Sequence, residues 1–81
     1  MTYEEVKTRL NKVFCKVFKD DSIVISDETA AKDIDKWDSL THLTLVSDTE
    51  DEFGIKFKLK ELIAMKNVGD FMKCIHSKIG S

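Results

Sequence analysis

Residues 35–40 read Asp-Lys-Trp-Asp-Ser-Leu, and this short stretch decides how the rest of the chain is interpreted. It lies at the end of a region without periodicity and at the first turn of an amphipathic segment. Asp38 is a favourable N-cap residue, so the pattern predicts that a helix begins at Ser39. A serine in the first helical turn is exposed. Because Asp38 already serves as the cap, Ser39 has no structural task of its own.

Four helices are predicted around this stretch, over residues 2–18, 39–53, 60–65 and 68–79. The first and last have apolar residues at helical spacing. Thr2 and Glu5 form a capping-box pair at the first helix, and Asn67 with Asp70 is a related pair at the last. Gly54 is a favourable residue to end the second helix.

Residues 19–37 form a long first loop, which is unusual in a compact domain and requires internal anchoring. A strand through Ile23–Ile25 would lack a partner, whereas one helical turn near Glu28–Lys32 is consistent with the local sequence. Trp37 is expected to anchor the loop by burying its ring, with its indole N–H requiring a partner. Farther along, residues 54–58 alternate with period two, which predicts an extended segment.

The composition indicates one globular domain spanning residues 1–81. Hydrophobic residues make up 42% of the chain and charged residues 35%, a balance typical of folded proteins. A net charge of −2 argues against a nucleic-acid-binding domain. The apolar runs are too short to span a bilayer, and no signal peptide is visible, so a cytoplasmic location is expected.

Cys15, Cys74, His42 and His76 are the residues from which a metal site could be assembled. They lack the close spacing of metal-binding motifs, so no metal site is predicted. The cysteines are expected to be reduced thiols near the core. The sequence also lacks a recognisable nucleophile–base pair and a glycine-rich phosphate loop, which argues against a catalyst.

Three stretches together resemble the acyl carrier protein family: residues 37–40, 50–55 and 66–70. The resemblance covers residues 3–79 and implies an all-α bundle of three longer helices and one short helix. It also implies that Ser39 receives 4′-phosphopantetheine from coenzyme A through a phosphopantetheinyl transferase. Cargo would then be carried as a thioester, and the chain would be a monomeric carrier. A phosphodiester on Ser39 is expected to lie near the positive end of the helix dipole and near free backbone N–H groups.

The same resemblance implies that the Ser39 side of the second helix docks acyl-loading and acyl-transferring enzymes. The candidate partner-binding residues are Asp38, Leu40, Leu43, Thr44, Ser47, Glu50 and Asp51. Residues 38–53 contain five carboxylates and neither lysine nor arginine. Such an acidic surface suits basic patches on partners and raises encounter rates.

Several positions depart from the pattern of many fatty-acid carriers. These positions are Thr44, Ser47, Lys56, Lys58 and Lys60. They make the chain more similar to the discrete carriers of specialised pathways. Two alternatives stay open: an aminoacyl or peptidyl carrier, and an unmodified helical interaction module.

The polar residues His42 and Thr49 fall on the inward side of the second helix. An apolar cargo chain would remove water from them without replacing the hydrogen bonds, at a cost of roughly 1–3 kcal/mol each. The pattern therefore predicts short or polar cargo.

Overall fold

The computed structural model describes residues 2–34 and 36–79, so Asp35 of the deciding stretch lies outside the described residues. Four α-helices follow one another: α1 (Tyr3–Phe18), α2 (Ser39–Phe53), α3 (Leu59–Ala64) and α4 (Val68–Ile79). A 3₁₀ turn at Ala31–Asp33 interrupts the long loop between α1 and α2. The predicted all-α bundle of three longer helices and one short helix is confirmed, and each helix boundary lies within one residue of its predicted position.

Side chains close the N-terminal ends of α1 and α4. At α1 the capping box is complete, because Glu5 N donates to Thr2 Oγ1 and Thr2 N donates to Glu5 Oε1, both at 3.2 Å. At α4, Asp70 N donates to Asn67 Oδ1 at 2.9 Å. The Asp70 carboxylate reaches one residue farther back than the predicted pair requires, accepting from Lys66 N at 3.1 Å. Local sequence therefore determines where both helices begin.

The core forms where α1 packs against α2 and α4. Its apolar side chains are Val6, Leu10, Val13, Phe14 and Phe18 of α1, Ile25 of the loop, Leu45 and Val46 of α2, and Val68, Phe71, Met72 and Ile75 of α4. The short helix α3 contributes only half-buried Leu62 to this cluster. Ile55 and Phe57 of the extended segment also pack against it, as the alternating pattern predicted.

The Asn11 side chain of α1 makes two hydrogen bonds to the backbone of the long loop. Asn11 Nδ2 donates to Ile23 O at 3.1 Å, and Ile25 N donates to Asn11 Oδ1 at 2.7 Å. The amide thus pairs with extended backbone as a neighbouring strand would, which explains how this segment is ordered without a strand partner. The predicted helical turn at Glu28–Lys32 is displaced to the 3₁₀ turn at Ala31–Asp33.

The same loop also closes the start of α4. Val68 N donates to Thr29 O at 2.7 Å, and Gly69 N donates to Asp27 O at 2.9 Å. The first N–H groups of a helix have no partner inside it, so the loop carbonyls satisfy them. The approach is so close that a Cβ on Gly69 would lie 2.8 Å from Asp27 O. Glycine is therefore required at this position by contact with backbone.

The Gly69→Ala substitution tests this contact through the sign of the change in the free energy of unfolding. Inside a helix, alanine is ordinarily more stable than glycine by roughly 0.5–1 kcal/mol. Here we expect the free energy of unfolding to fall by about 1–3 kcal/mol, because the added methyl group forces the loop away from α4.

Urea unfolding monitored by circular dichroism measures the change. Ser77→Ala, at an exposed position of the same helix, is the matched control and is expected to change stability by less than about 0.5 kcal/mol. A Gly69→Ala variant more stable than the parent chain would contradict the proposed contact.

Candidate functional site

Ser39 is the first residue of α2, and its side chain is exposed. The preceding residue, Asp38, is the N-cap, as predicted: its Oδ1 accepts from Leu40 N at 3.0 Å and from Thr41 N at 2.9 Å. Asp38 N in turn donates to Thr41 Oγ1 at 2.7 Å. The bonds from Thr41, together with that from Leu40, hold the pKa of the Asp38 carboxyl below its usual value. The helix start that presents Ser39 is therefore fixed by reciprocal hydrogen bonds.

This cap corrects one expectation about the site. The N–H groups of Leu40 and Thr41 are already bonded to the Asp38 carboxylate, so they are not free for a phosphodiester on Ser39. An anion there retains the favourable field of the helix N-terminus, which contributes roughly 0.3–1 kcal/mol. It also lies close to the charge of Asp38, so an additional cation near Ser39 would be favourable.

Trp37 connects the end of the long loop to α2 and to the core. Its Nε1 donates to His42 Nδ1 at 3.1 Å, and the two ring planes lie 21° apart with centroids 6.0 Å from each other. The indole edge also packs on Phe14, with centroids 5.2 Å apart and an interplanar angle of 87°. The ring is half-buried, and His42 is the partner that its N–H was expected to need. The structure therefore supports the predicted anchor role for Trp37.

A cleft of about 470 Å³ lies beside Ser39. Its lining consists of Ala31, Trp37, Asp38, Ser39, His42, Met65, Lys66, Asn67 and Phe71. The aromatic and thioether side chains make part of this wall apolar. Of the described residues that line the cleft, Lys66 is the one with a permanent positive charge. The cleft thus offers an apolar surface and an ammonium group on the same side of the molecule as the serine.

The contacts of His42 and Thr49 remove part of the premise of the cargo prediction. Thr49 is fully buried, and its hydroxyl donates to Leu45 O at 2.7 Å, so the expected penalty is wrong for this residue. His42 lines the cleft, and its Nδ1 accepts the Trp37 indole proton, which places the proton of the neutral ring on Nε2. An apolar chain in the cleft would remove water from this second nitrogen. The preference for short or polar cargo stays a prediction and rests on His42.

The predicted partner-binding residues divide into two groups. Six of them are exposed: Asp38, Leu40, Leu43, Thr44, Ser47 and Asp51. The apolar members stand out, since Leu40 is 77% and Leu43 66% exposed. Glu50 differs, because it is half-buried and its Oε2 accepts from Phe57 N at 2.8 Å. Glu50 therefore holds the extended segment after α2, a role that the helical wheel did not reveal.

The two cysteines and His76 have separate surroundings. Cys15 Sγ donates to a carbonyl oxygen of the long loop at 3.6 Å, and Cys74 Sγ donates to Glu61 Oε2 at 3.4 Å. Both are free thiols, and burial followed by the neighbouring Glu61 raises the pKa of Cys74. The His76 ring packs edge-on against Tyr3, with centroids 5.9 Å apart. These contacts account for the three side chains as packing residues.

His42 makes stability depend on pH. Burial lowers its pKa from the ordinary value of 6.5, and only the neutral ring can accept the indole proton at Nδ1. The unfolded chain therefore binds a proton more readily than the folded one. The contribution of His42 to stability is complete above pH 6.5 and is lost as the pH falls below that value.

Urea unfolding at several pH values between neutral and mildly acidic measures this loss. His42→Gln is the matched variant, since glutamine can accept a hydrogen bond but does not titrate. We expect its stability to stay level over the range in which the parent chain weakens. Parallel curves for the two proteins would contradict a role for His42.

The chain is similar in sequence and fold to known acyl carrier proteins. No protein-family model matches the chain. The chain is 30% identical over 77 residues to an acyl carrier protein from Thermotoga maritima, with 95% of each sequence covered. The solution structure of a holo acyl carrier protein from Geobacter metallireducens superposes with a TM-score of 0.88. It shares 45% identity, over 93% of this chain and 86% of that one.

None of the described helices is both long and apolar enough to cross a membrane. Helix order, the capped serine and nearly full-length similarity to a curated acyl carrier protein agree with one another. The chain belongs to the acyl carrier protein family.

Proposed function

We propose that Ser39 is the residue that carries the 4′-phosphopantetheine arm of this acyl carrier protein. The observation that supports this assignment is the exposed hydroxyl at the first position of α2, directly after a complete cap and beside the cleft. An exposed side chain on a rigid helix start can enter the active site of a modifying enzyme without unfolding. The fixed backbone also holds the attached arm at one defined point on the carrier.

The attachment is a phosphoryl-type transfer from coenzyme A, catalysed by a phosphopantetheinyl transferase. A bond forms between Ser39 Oγ and the phosphorus that bears pantetheine, while the bond from that phosphorus to the nucleotide side breaks. The serine proton is lost, and the nucleotide portion leaves. When bound, the arm supplies a terminal thiol that forms thioesters with acyl cargo. The ammonium of Lys66 is suited to offset the negative charge introduced beside Asp38.

Ser39→Ala tests the assignment directly. Incubation with coenzyme A and a phosphopantetheinyl transferase should add one phosphopantetheine to the parent chain and none to the variant. Intact-protein mass spectrometry measures the gain. Ser77→Ala, at an exposed serine of α4 outside the proposed docking surface, is the control and should be modified like the parent. A mass gain on Ser39→Ala would place the arm elsewhere.

The Ser39 side of α2 is the proposed docking surface for the transferase and for the enzymes that load and remove acyl groups. The chain itself acts as the carrier, and these enzymes carry out the chemistry. Leu40 and Leu43 offer apolar area next to the serine, and Asp51 adds an exposed negative charge. Apolar contacts give affinity, while the carboxylate attracts a basic partner surface. A monomeric state and a cytoplasmic location stay predictions.

Asp51→Lys tests the electrostatic part of this surface. Glu50 is left unchanged, because its bond to Phe57 N would confuse docking with folding. We expect the rate of modification at limiting carrier concentration to fall by about tenfold at low salt, with a smaller difference at high salt.

Asp21→Lys makes the same charge change at an exposed loop position and serves as the control. Thermal midpoints of both variants show whether either change disturbs the fold. Equal rates for the two variants at low salt would remove Asp51 from the docking surface.

A further inference from the structure

The segment after α2 presents a surface of opposite character to α2 itself. We call it the α3 surface and define it as Lys56, Lys58, Leu59, Lys60 and Ile63, all of which are exposed. The extended backbone turns Ile55 and Phe57 toward the core, so that the alternate lysines face solvent. Leu59 and Ile63 are 72% and 74% exposed, and their spacing of four residues places them on one face of α3.

The single carboxylate within this segment, that of Glu61, is bonded to other groups of the same molecule. Glu61 Oε1 accepts from Lys58 N at 2.7 Å and pairs with Lys78 Nζ at 2.9 Å, while its Oε2 accepts from the Cys74 thiol. The bond from Lys58 N, followed by the one from Lys78, lowers the pKa of Glu61 to about 2. The carboxylate therefore stays ionised but cannot turn outward to neutralise the lysines. Among the described residues, the ion pairs are Arg9–Glu52 and Lys78–Glu61, which leaves the ammonium groups of the α3 surface open to a partner.

The same contacts fix the direction in which the apolar pair points. A helix of six residues would be marginal on its own. Here Glu61 caps its first turn and ties it to Lys78 of α4, while half-buried Leu62 packs on the core. Leu59 and Ile63 are thus held outward on a short, anchored helix, an arrangement that preorganises them for contact with another surface.

We propose that the α3 surface docks a protein partner whose contact face carries an apolar patch bordered by aspartate and glutamate side chains. Charge complementarity identifies the occupant, because three open ammonium groups and two exposed aliphatic side chains lie within one eight-residue segment. An anionic bilayer fits less well, because it would repel Asp51 and Glu52 of α2, which precede Lys56 by only a few residues. A folded protein can place opposite charges against both regions. The proposed docking surface on the Ser39 side of α2 and the α3 surface would then select partners of different charge.

The experiment is an NMR titration of the ¹⁵N-labelled full chain with a defined probe peptide. The peptide is helical, with two leucines four positions apart between glutamates. Its control carries lysines in place of the glutamates. We expect the acidic peptide to shift the amide signals of residues 56–63, with binding that weakens as salt rises. The lysine peptide should leave these signals unchanged.

Matched variants separate the contribution of the α3 surface to binding from the effect of net charge alone. Lys56→Gln, Lys58→Gln and Lys60→Gln together should weaken binding by about tenfold, since each exposed pair contributes modestly. Lys19→Gln, Lys32→Gln and Lys73→Gln remove the same charge at exposed positions elsewhere and should have little effect. Equal weakening in both triple variants would overturn the proposal, as would shifts confined to other residues.

Two further experiments examine the other possible occupants of the α3 surface, a lipid bilayer and a second copy of the chain. Phosphatidylglycerol vesicles replace the peptide in a sedimentation assay, and a dilution series of the chain alone reports self-association. Vesicle binding that depends on Lys56, Lys58 and Lys60 without peptide binding would assign the surface to lipid and overturn the proposal. Self-association that depends on the same three lysines would assign the α3 surface to a second copy of the chain and would also overturn the proposal. All of these experiments use unmodified protein, so their outcome does not depend on whether Ser39 accepts phosphopantetheine.

Discussion

The hydrogen bond from the Trp37 indole to His42 joins the parts of the molecule that the site depends on. The donor is among the last residues of the long loop, and the acceptor lies in the first turns of α2. Because the same indole packs edge-on against Phe14 of α1, the start of α2 is located relative to the core. Ser39 lies between the two partners of this bond in the sequence, so its side chain is exposed while its backbone is fixed in position. A carrier needs this combination, since its attachment residue must enter other enzymes while the body stays folded.

The long loop is a structural element in its own right, although it contains no proline and its described residues form no strand. Its carbonyls at Asp27 and Thr29 receive the first N–H groups of α4, and its extended part pairs with the amide of Asn11 on α1. Each contact satisfies backbone groups that would otherwise be unpaired near the core. The loop thus bridges two helices that also pack directly on each other. Shortening it would expose helix ends as well as remove chain, and this explains why the connection is so long.

The features predictable from the sequence are those set by neighbouring residues. Helical periodicity located α1 and α4, and the caps at Thr2 and Asp38 are read from residues within a few positions of each other. The features that were missed join residues far apart in sequence. The clamp by Asn11, the close approach of Gly69 to the loop and the bond from Phe57 N to Glu50 give no local signal. His42 shows the same limit, because its polarity suggested an unpaired group until the fold supplied its partner.

The carboxylates illustrate why charge counted along a sequence is a poor measure of a docking surface. Asp38 and Glu50 were both predicted to bind partners, yet one caps α2 and the other holds the segment that follows it. At the far end of α2, Arg9 pairs with Glu52 at 3.5 Å, and α1 lysines share a groove with the remaining acids. The negative face is therefore smaller and better compensated than the five acidic residues suggest. On α3 the effect is reversed, because Glu61 is bonded to Lys58 N and Lys78 and the neighbouring lysines are left without compensation. The fold, by deciding which charges are used internally, converts a chain of nearly neutral net charge into one with distinct acidic and basic faces.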